Sequence, residues 1–125
     1  KMRNLISAAI VAAAVAGSAW AAAPHMDPAG KTETISGEML DMACYMMHEG
    51  KGKKHAKCAG ACVKGGAPLG VLTQDGKVYL VVGDHDDQKP FVEAKALAGF
   101  NAKITGTVFT RGGLTAIVVK KAEKL

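Results

Sequence analysis

Leu69-Gly70-Val71-Leu72-Thr73-Gln74-Asp75-Gly76-Lys77-Val78-Tyr79-Leu80-Val81-Val82-Gly83 reads as two β-strands about one tight turn. Asp-Gly is a strong hairpin signal because glycine reaches positive φ without a steric penalty. Pro68 stands just before the first strand, and the Val/Tyr/Leu/Val/Val run in the second suits a strand buried on both faces or set in a barrel wall. Downstream, Asp84 to Lys89 is polar and loop-like. Pro90 fits the first turn of a helix over about 90–98, in which Phe91, Ala94, Leu97 and Ala98 recur at helical spacing and Gly99 marks the end. Ala102 to Arg111 alternates as a strand, Gly112-Gly113 is a second hairpin turn, and Leu114 to Lys120 is the last strand.

Upstream, Thr32 to Asp41 (TETISGEMLD) supplies the first strand. Thr and Ile favour extended backbone, and Gly37 marks a bulge or a close approach. The element order is then strand, long insertion, strand, strand, helix, strand, strand. That order predicts a mainly β, OB-fold-like, five-stranded antiparallel barrel. One helix lies between strands 3 and 4, and a Cys-bearing helical insertion lies between strands 1 and 2. In such barrels the latter loop commonly carries the ligand site.

The first residues of the 125-residue chain have another character. Lys1 and Arg3 are basic, Leu5 to Ala16 is an apolar and small-residue run, and Ala19-Trp20-Ala21 offers small residues at a cleavage site. The first acidic residue is Asp27. This pattern is that of a secretory signal peptide over residues 1–21, and the apolar run is shorter than the ~20 residues a membrane span needs. Cleavage after Ala21 leaves 104 residues, divided into a flexible arm at 22–31 and a single OB-like domain at 32–125. The expected location is the periplasm or beyond, with no stable membrane insertion after cleavage. The first cysteine is Cys44, so no lipid-bearing cysteine stands at the cleavage site. Loss of Lys1 and Arg3 lowers the net charge from +5 to +3, and the lysines lack interleaved aromatics, which argues against a nucleic-acid ligand.

All three cysteines lie in the insertion from Met42 to Ala67, at Cys44, Cys58 and Cys62, with His55 three residues before the second. On a helix over about 55–63, ended by Gly65-Gly66, positions 55, 58 and 62 fall within about 60° of one another. Cys58 and Cys62, four apart, are good neighbours for one ion. His55 stands about 10 Å along the axis from Cys62, so it ligates more easily if the helix starts near residue 56. Cys44, at the end of the first strand, supplies the third sulfur. Three thiolates and an imidazole form a tetrahedral set used for zinc. Thiolates with neighbouring thioethers also suit Cu(I), and Met39, Met42, Met46 and Met47 flank Cys44, although core filling is the ordinary use of methionine. His48, Met47 and Asp41 are weaker ligand candidates. Lys51, Lys53, Lys54 and Lys57 are expected to favour thiolates and to offset the charge of such a site.

The runs Gly37-Glu38-Met39-Leu40-Asp41-Met42-Ala43-Cys44, His55-Ala56-Lys57-Cys58-Ala59-Gly60-Ala61-Cys62 and Gly66-Ala67-Pro68-Leu69-Gly70-Val71-Leu72 resemble a group of small exported bacterial proteins. That group carries a D-x-x-C … H-x-x-C-x-x-x-C motif on an OB-like barrel. The resemblance spans about residues 36–120 and implies that Cys44, His55, Cys58 and Cys62 act as one constellation. It implies no particular activity.

Two readings follow. In the first, the chain binds one Zn(II) or Cu(I) ion through Cys44, His55, Cys58 and Cys62. In the second, two cysteines form a disulfide in an oxidising compartment, leaving one odd thiol, and the braced barrel docks another envelope protein. No paired catalytic carboxylates, nucleophile–base motif or phosphate-cradling glycine loop occurs, so the expectation is a non-enzyme, with a thiol redox role as the minor enzymatic reading. Neither C-x-x-C-H nor C-x-x-C is present. Asp84, His85, Asp86 and Asp87 form a polar turn that could meet a cation but reads first as a loop.

Overall fold

The computed structural model describes residues 29–125, so the signal peptide and most of the arm predicted from the sequence lie outside the described residues. Five strands close into a barrel: β1 (Lys31–Asp41), β2 (Leu69–Thr73), β3 (Val78–Val82), β4 (Asn101–Arg111) and β5 (Leu114–Lys124). Around the barrel they run β1-β2-β3-β5-β4 and back to β1. Two short helices, α1 (Met42–His48) and α2 (Ala56–Lys64), fill the insertion between β1 and β2, and α3 (Lys89–Lys95) stands between β3 and β4. None of the helices among the described residues is long and apolar enough to cross a membrane.

The predicted all-antiparallel pairing is corrected in one place: β3 and β5 run parallel, with Leu80 opposite Ala116 and Val82 opposite Val118. The reason is parity. Directions cannot alternate around a closed ring of five strands, so at least one neighbouring pair must be parallel. That pair is the one whose connection is long enough to cross over, through α3 and β4.

Strand alternation fills the interior. Ala102 and Ile104 of β4 are buried between exposed Asn101 and Lys103, as period 2 requires. They meet Ile35 and Met39 of β1, Leu69 and Val71 of β2, Val81 of β3, and Ile117 and Val119 of β5 in one apolar cluster. Val63 of α2 and Ala94 of α3 join the same cluster, so both helices pack on the barrel. The last strand is longer than the sequence suggested. Gly112 and Gly113 both have positive φ, at 58° and 80°, and close a two-residue turn that sets Arg111 opposite Leu114. With that register fixed, β5 must run to Lys124 to cover the start of β4, where Ala102 faces Lys124. Helix α3 is shorter than the predicted 90–98. Beyond Lys95 the chain tightens into three-residue hydrogen bonds, from the Leu97 amide to the Ala94 carbonyl and from the Ala98 amide to the Lys95 carbonyl.

Candidate metal centre

Three separate stretches of chain bring the insertion's polar groups together. The first is the junction of β1 and α1. The sequence reading placed Cys44 at the end of the first strand, and the structure corrects this: Cys44 lies in the first turn of α1. Asp41 is the cause. Its Oδ1 accepts hydrogen bonds from the amides of Ala43 at 2.9 Å and Cys44 at 3.4 Å, the N-cap geometry that starts a helix. Nothing in Met42-Ala-Cys-Tyr-Met-Met-His48 opposes a helix, since the stretch lacks glycine, proline and β-branched residues. The D-x-x-C spacing is thus a helix cap with its cysteine at the third position.

The second stretch is the link between the helices. Glu49, at φ 54°, turns the chain out of α1. The Gly52 amide donates to the Glu38 carboxylate, which fastens the link to β1. His55 then occupies the N-cap position of α2, and the helix proper begins at Ala56. This is the start that eases His55 toward the cysteines. Gly50 makes room for the ring: a Cβ there would stand 2.8 Å from His55 Nε2 and 3.1 Å from Cys44 Cβ. The third stretch is α2 itself, with Cys58 and Cys62 one turn apart and their sulfurs 3.9 Å from each other. The Met42 amide donates to the Pro68 carbonyl at 2.9 Å, which closes the insertion at its base.

Ligand atoms of Cys44, His55 and Cys58 lie within 4.8 Å of one another, and so do those of Asp41, Cys44 and Cys62. Together with the Cys58–Cys62 distance, five of the six spacings among Cys44, His55, Cys58 and Cys62 are 4.8 Å or less. Asp41, a weaker candidate in the sequence, therefore belongs to the cluster. The other two weaker candidates are exposed. Met47 is 80% exposed. His48 is exposed too, and its ring meets that of His55 edge-on at 5.8 Å between centroids. Met39, by contrast, is core filling, with no exposure at all.

The electrostatics centre on Asp41, which is fully buried. Burial pushes its carboxyl up. Hydrogen bonds from the Cys44 thiol, the Ala43 and Cys44 amides and the Cys62 thiol outweigh that, and the net direction is down. The thiols answer in the opposite sense. Cys44 is pushed up to about 12, first by its hydrogen bond to Asp41, then by desolvation and by the charges of Asp41 and the other cysteines. Cys62 is raised by its hydrogen bond with Cys58 and then by Asp41. This corrects the expectation that the lysines would favour thiolates at these positions. Lys51, Lys53, Lys54 and Lys57 are all exposed, where water screens them, while the carboxylate touches the sulfurs.

A pH dependence follows for the metal-free protein. The folded state holds the Cys44 proton more tightly than the unfolded chain, whose thiol sits at 9.0. The contribution to stability is therefore complete below pH 9.0 and is lost as pH rises toward about 12. Urea melts of chelator-treated, reduced protein across that window are expected to show the loss, and Cys44→Ala is expected to reduce it, with Cys62, also raised, supplying the remainder.

Among the described residues, two buried side-chain atoms have no hydrogen-bond partner of ordinary geometry: Asp41 Oδ2 and His55 Nε2. Both belong to the cluster. The Asp84, His85 and Asp86 group also has its ligand atoms within 4.8 Å, but it is otherwise occupied. The Lys120 ammonium pairs with the Asp84 carboxylate, whose other oxygen accepts from the Asp86 amide at 3.0 Å, and His85 and Asp86 are exposed. No protein-family model, curated protein or solved structure matches the chain.

Proposed function

We propose that this chain is an exported, OB-like-barrel protein that binds one transition-metal ion, Zn(II) or Cu(I), through Cys44, His55, Cys58 and Cys62, and that it catalyses no reaction. Export rests on the signal-like residues 1–21, and the OB-like assignment rests on the barrel order with its helix between β3 and β4. One observation carries the binding reading: side chains from three separate stretches converge at the spacing a single ion requires. Metal–sulfur bonds of about 2.3 Å in a tetrahedron put neighbouring sulfurs ~3.8 Å apart. The Cys58 and Cys62 sulfurs stand at 3.9 Å.

His55 Nε2, buried without a partner, supports the same reading. A buried polar group without a partner costs ~1–3 kcal/mol. An ion among the sulfurs would take the His55 imidazole as a ligand. Three thiolates and a divalent ion sum to −1, or −2 with the Asp41 carboxylate beside them, a charge held in part by the Ala43 and Cys44 amides that donate to Asp41. The braced docking module is the second reading, favoured by the nearness of the Cys58 and Cys62 sulfurs, although a disulfide needs ~2.05 Å between them.

Metal analysis with thiol titration on protein purified anaerobically from the periplasm separates the two. One equivalent of Zn or Cu, with thiols that react only after a chelator is added, is the expected result. A metal-free protein with one disulfide and one freely titrating thiol would replace metal binding with the braced module.

A further inference from the structure

Helix α1 runs from the most buried polar group of the cluster to one of the most exposed side chains near it. Asp41 at its N-cap has no exposure, Cys44 is half-buried, and Met47 is 80% exposed. Met47 and His48 stand three and four residues after Cys44, so all three share one ridge of the helix. The outer end of the ridge touches the cluster a second time, because the His48 ring meets the His55 ring edge-on at 5.8 Å. Core filling, the ordinary role of methionine, does not apply to Met47 as it does to Met39. What this face offers to solvent is a thioether on one flank of Cys44 and an imidazole on the other, about 100° apart around the helix.

That pairing has a chemical preference. Thioether sulfur is a soft, neutral ligand that binds Cu(I) and has little affinity for Zn(II). We infer that the ion held by the cysteines is Cu(I), and that Met47 and His48 form the solvent-facing step through which it reaches and leaves them. This rests on the proposed metal binding and goes beyond it by naming the ion and its route. The Met47 thioether can release Cu(I) without any change in its own protonation, the Cys44 thiol giving its proton to solvent as the Cu–S bond forms and the Cu–thioether bond breaks, and the exposure of Met47 leaves it reachable by a donor or an acceptor. Met46 is the built-in comparison. It is 73% exposed, yet it lies about 200° around the helix from Cys44 and off the ridge.

The test uses the mature chain, reduced and anaerobic. Cu(I) and Zn(II) are first titrated separately and then in competition, with metal content and free thiols read together. Cu(I) loaded on the wild type, Met47→Leu, His48→Ala and Met46→Leu is next withdrawn by bathocuproine disulfonate, and Zn(II) loaded on the same proteins is withdrawn by EDTA. Cu(I) is expected to displace Zn(II). Met47→Leu and His48→Ala are expected to slow Cu(I) exchange about tenfold, because each removes a relay ligand. Met46→Leu is expected to match the wild type, and Zn(II) exchange is expected to be the same in Met47→Leu as in the wild type. A general loosening of the helix would move both metals and would also appear in circular dichroism, so the difference between metals isolates the relay. Zn(II) retained against Cu(I), or Cu(I) exchange in Met47→Leu within twofold of wild type, overturns the inference while metal binding stands. In the latter case the ion passes at exposed Cys58. Failure of both metals to bind, with a disulfide present, overturns the proposed function instead, and this inference with it.

Discussion

Gly37→Ala is expected to lower the stability of the metal-free protein by at least ~3 kcal/mol, at the upper end of overpacking costs. Gly37 sits where β1 changes partners. Residues 31–38 of β1 pair with β4 and residues 37–41 pair with β2, so Gly37 faces Ala102 on one side and Thr73 on the other. A Cβ there would stand 2.1 Å from the Leu72 carbonyl oxygen and 2.7 Å from its carbon. Both are backbone atoms within the β1–β2 pairing, so no rotamer change relieves the contact and the two strands must part. A domain of this size has ~5–15 kcal/mol in all, so the loss is a large share. Urea melts read it. Gly60→Ala in α2 is the counterpart, since its Cβ would find only the Ala98 carbonyl, at 3.9 Å. It is expected to be neutral or to stabilise by up to ~1 kcal/mol, as a helical Gly-to-Ala change does. Equal losses at both positions would mean that the close approach at Gly37 does not limit the fold.

The hairpins were legible because their turns are written in residue identity: Asp75-Gly76 and Gly112-Gly113 leave few other backbone choices. The β4 interior was legible from period 2 alone. Helix α1 was not. Seven residues are too few to display a 3.6 period, and Asp41 looked like the end of a strand because it is one, while its carboxylate also caps the helix that follows. The parallel β3–β5 pair was concealed differently. It follows from strand count and closure, not from any residue in either strand. Grouping Cys44, His55, Cys58 and Cys62 needed only helix spacing and the loop's position. The inclusion of Asp41 and the rise of the Cys44 thiol to about 12 depend on burial and contact across the insertion, which spacing along the chain does not encode. The lysines misled for the same reason: they are near in sequence but face water.

Cys58→Ser is expected to separate metal binding from folding. Cys58 is exposed, so the substitution should alter the metal-free protein by no more than ~0.5 kcal/mol, the usual range for a surface change. Its sulfur is nevertheless common to two contacts in the cluster, one with Cys62 at 3.9 Å and one with the Cys44 and His55 group. Losing a group that only orients a ligand costs 10–100-fold in affinity, so losing a ligand is expected to cost ~100-fold or more. The consequence for stability is calculable by linkage. At free metal ~1,000 times the wild-type dissociation constant, binding adds about 4 kcal/mol to the wild type, and a 100-fold weaker site adds about 1.4 kcal/mol. Melting curves of both proteins, with and without metal at that concentration, give the two increments directly. Serine keeps the size of the side chain and removes the soft donor, so the small metal-free effect and the large metal-dependent one should appear in the same molecule. A Cys58→Ser protein that gains as much stability from metal as the wild type does would remove Cys58 from the ligand set. Equal affinities with an unchanged metal-free melt would shift the ion toward Asp41, Cys44 and Cys62, whose ligand atoms already lie within 4.8 Å of one another.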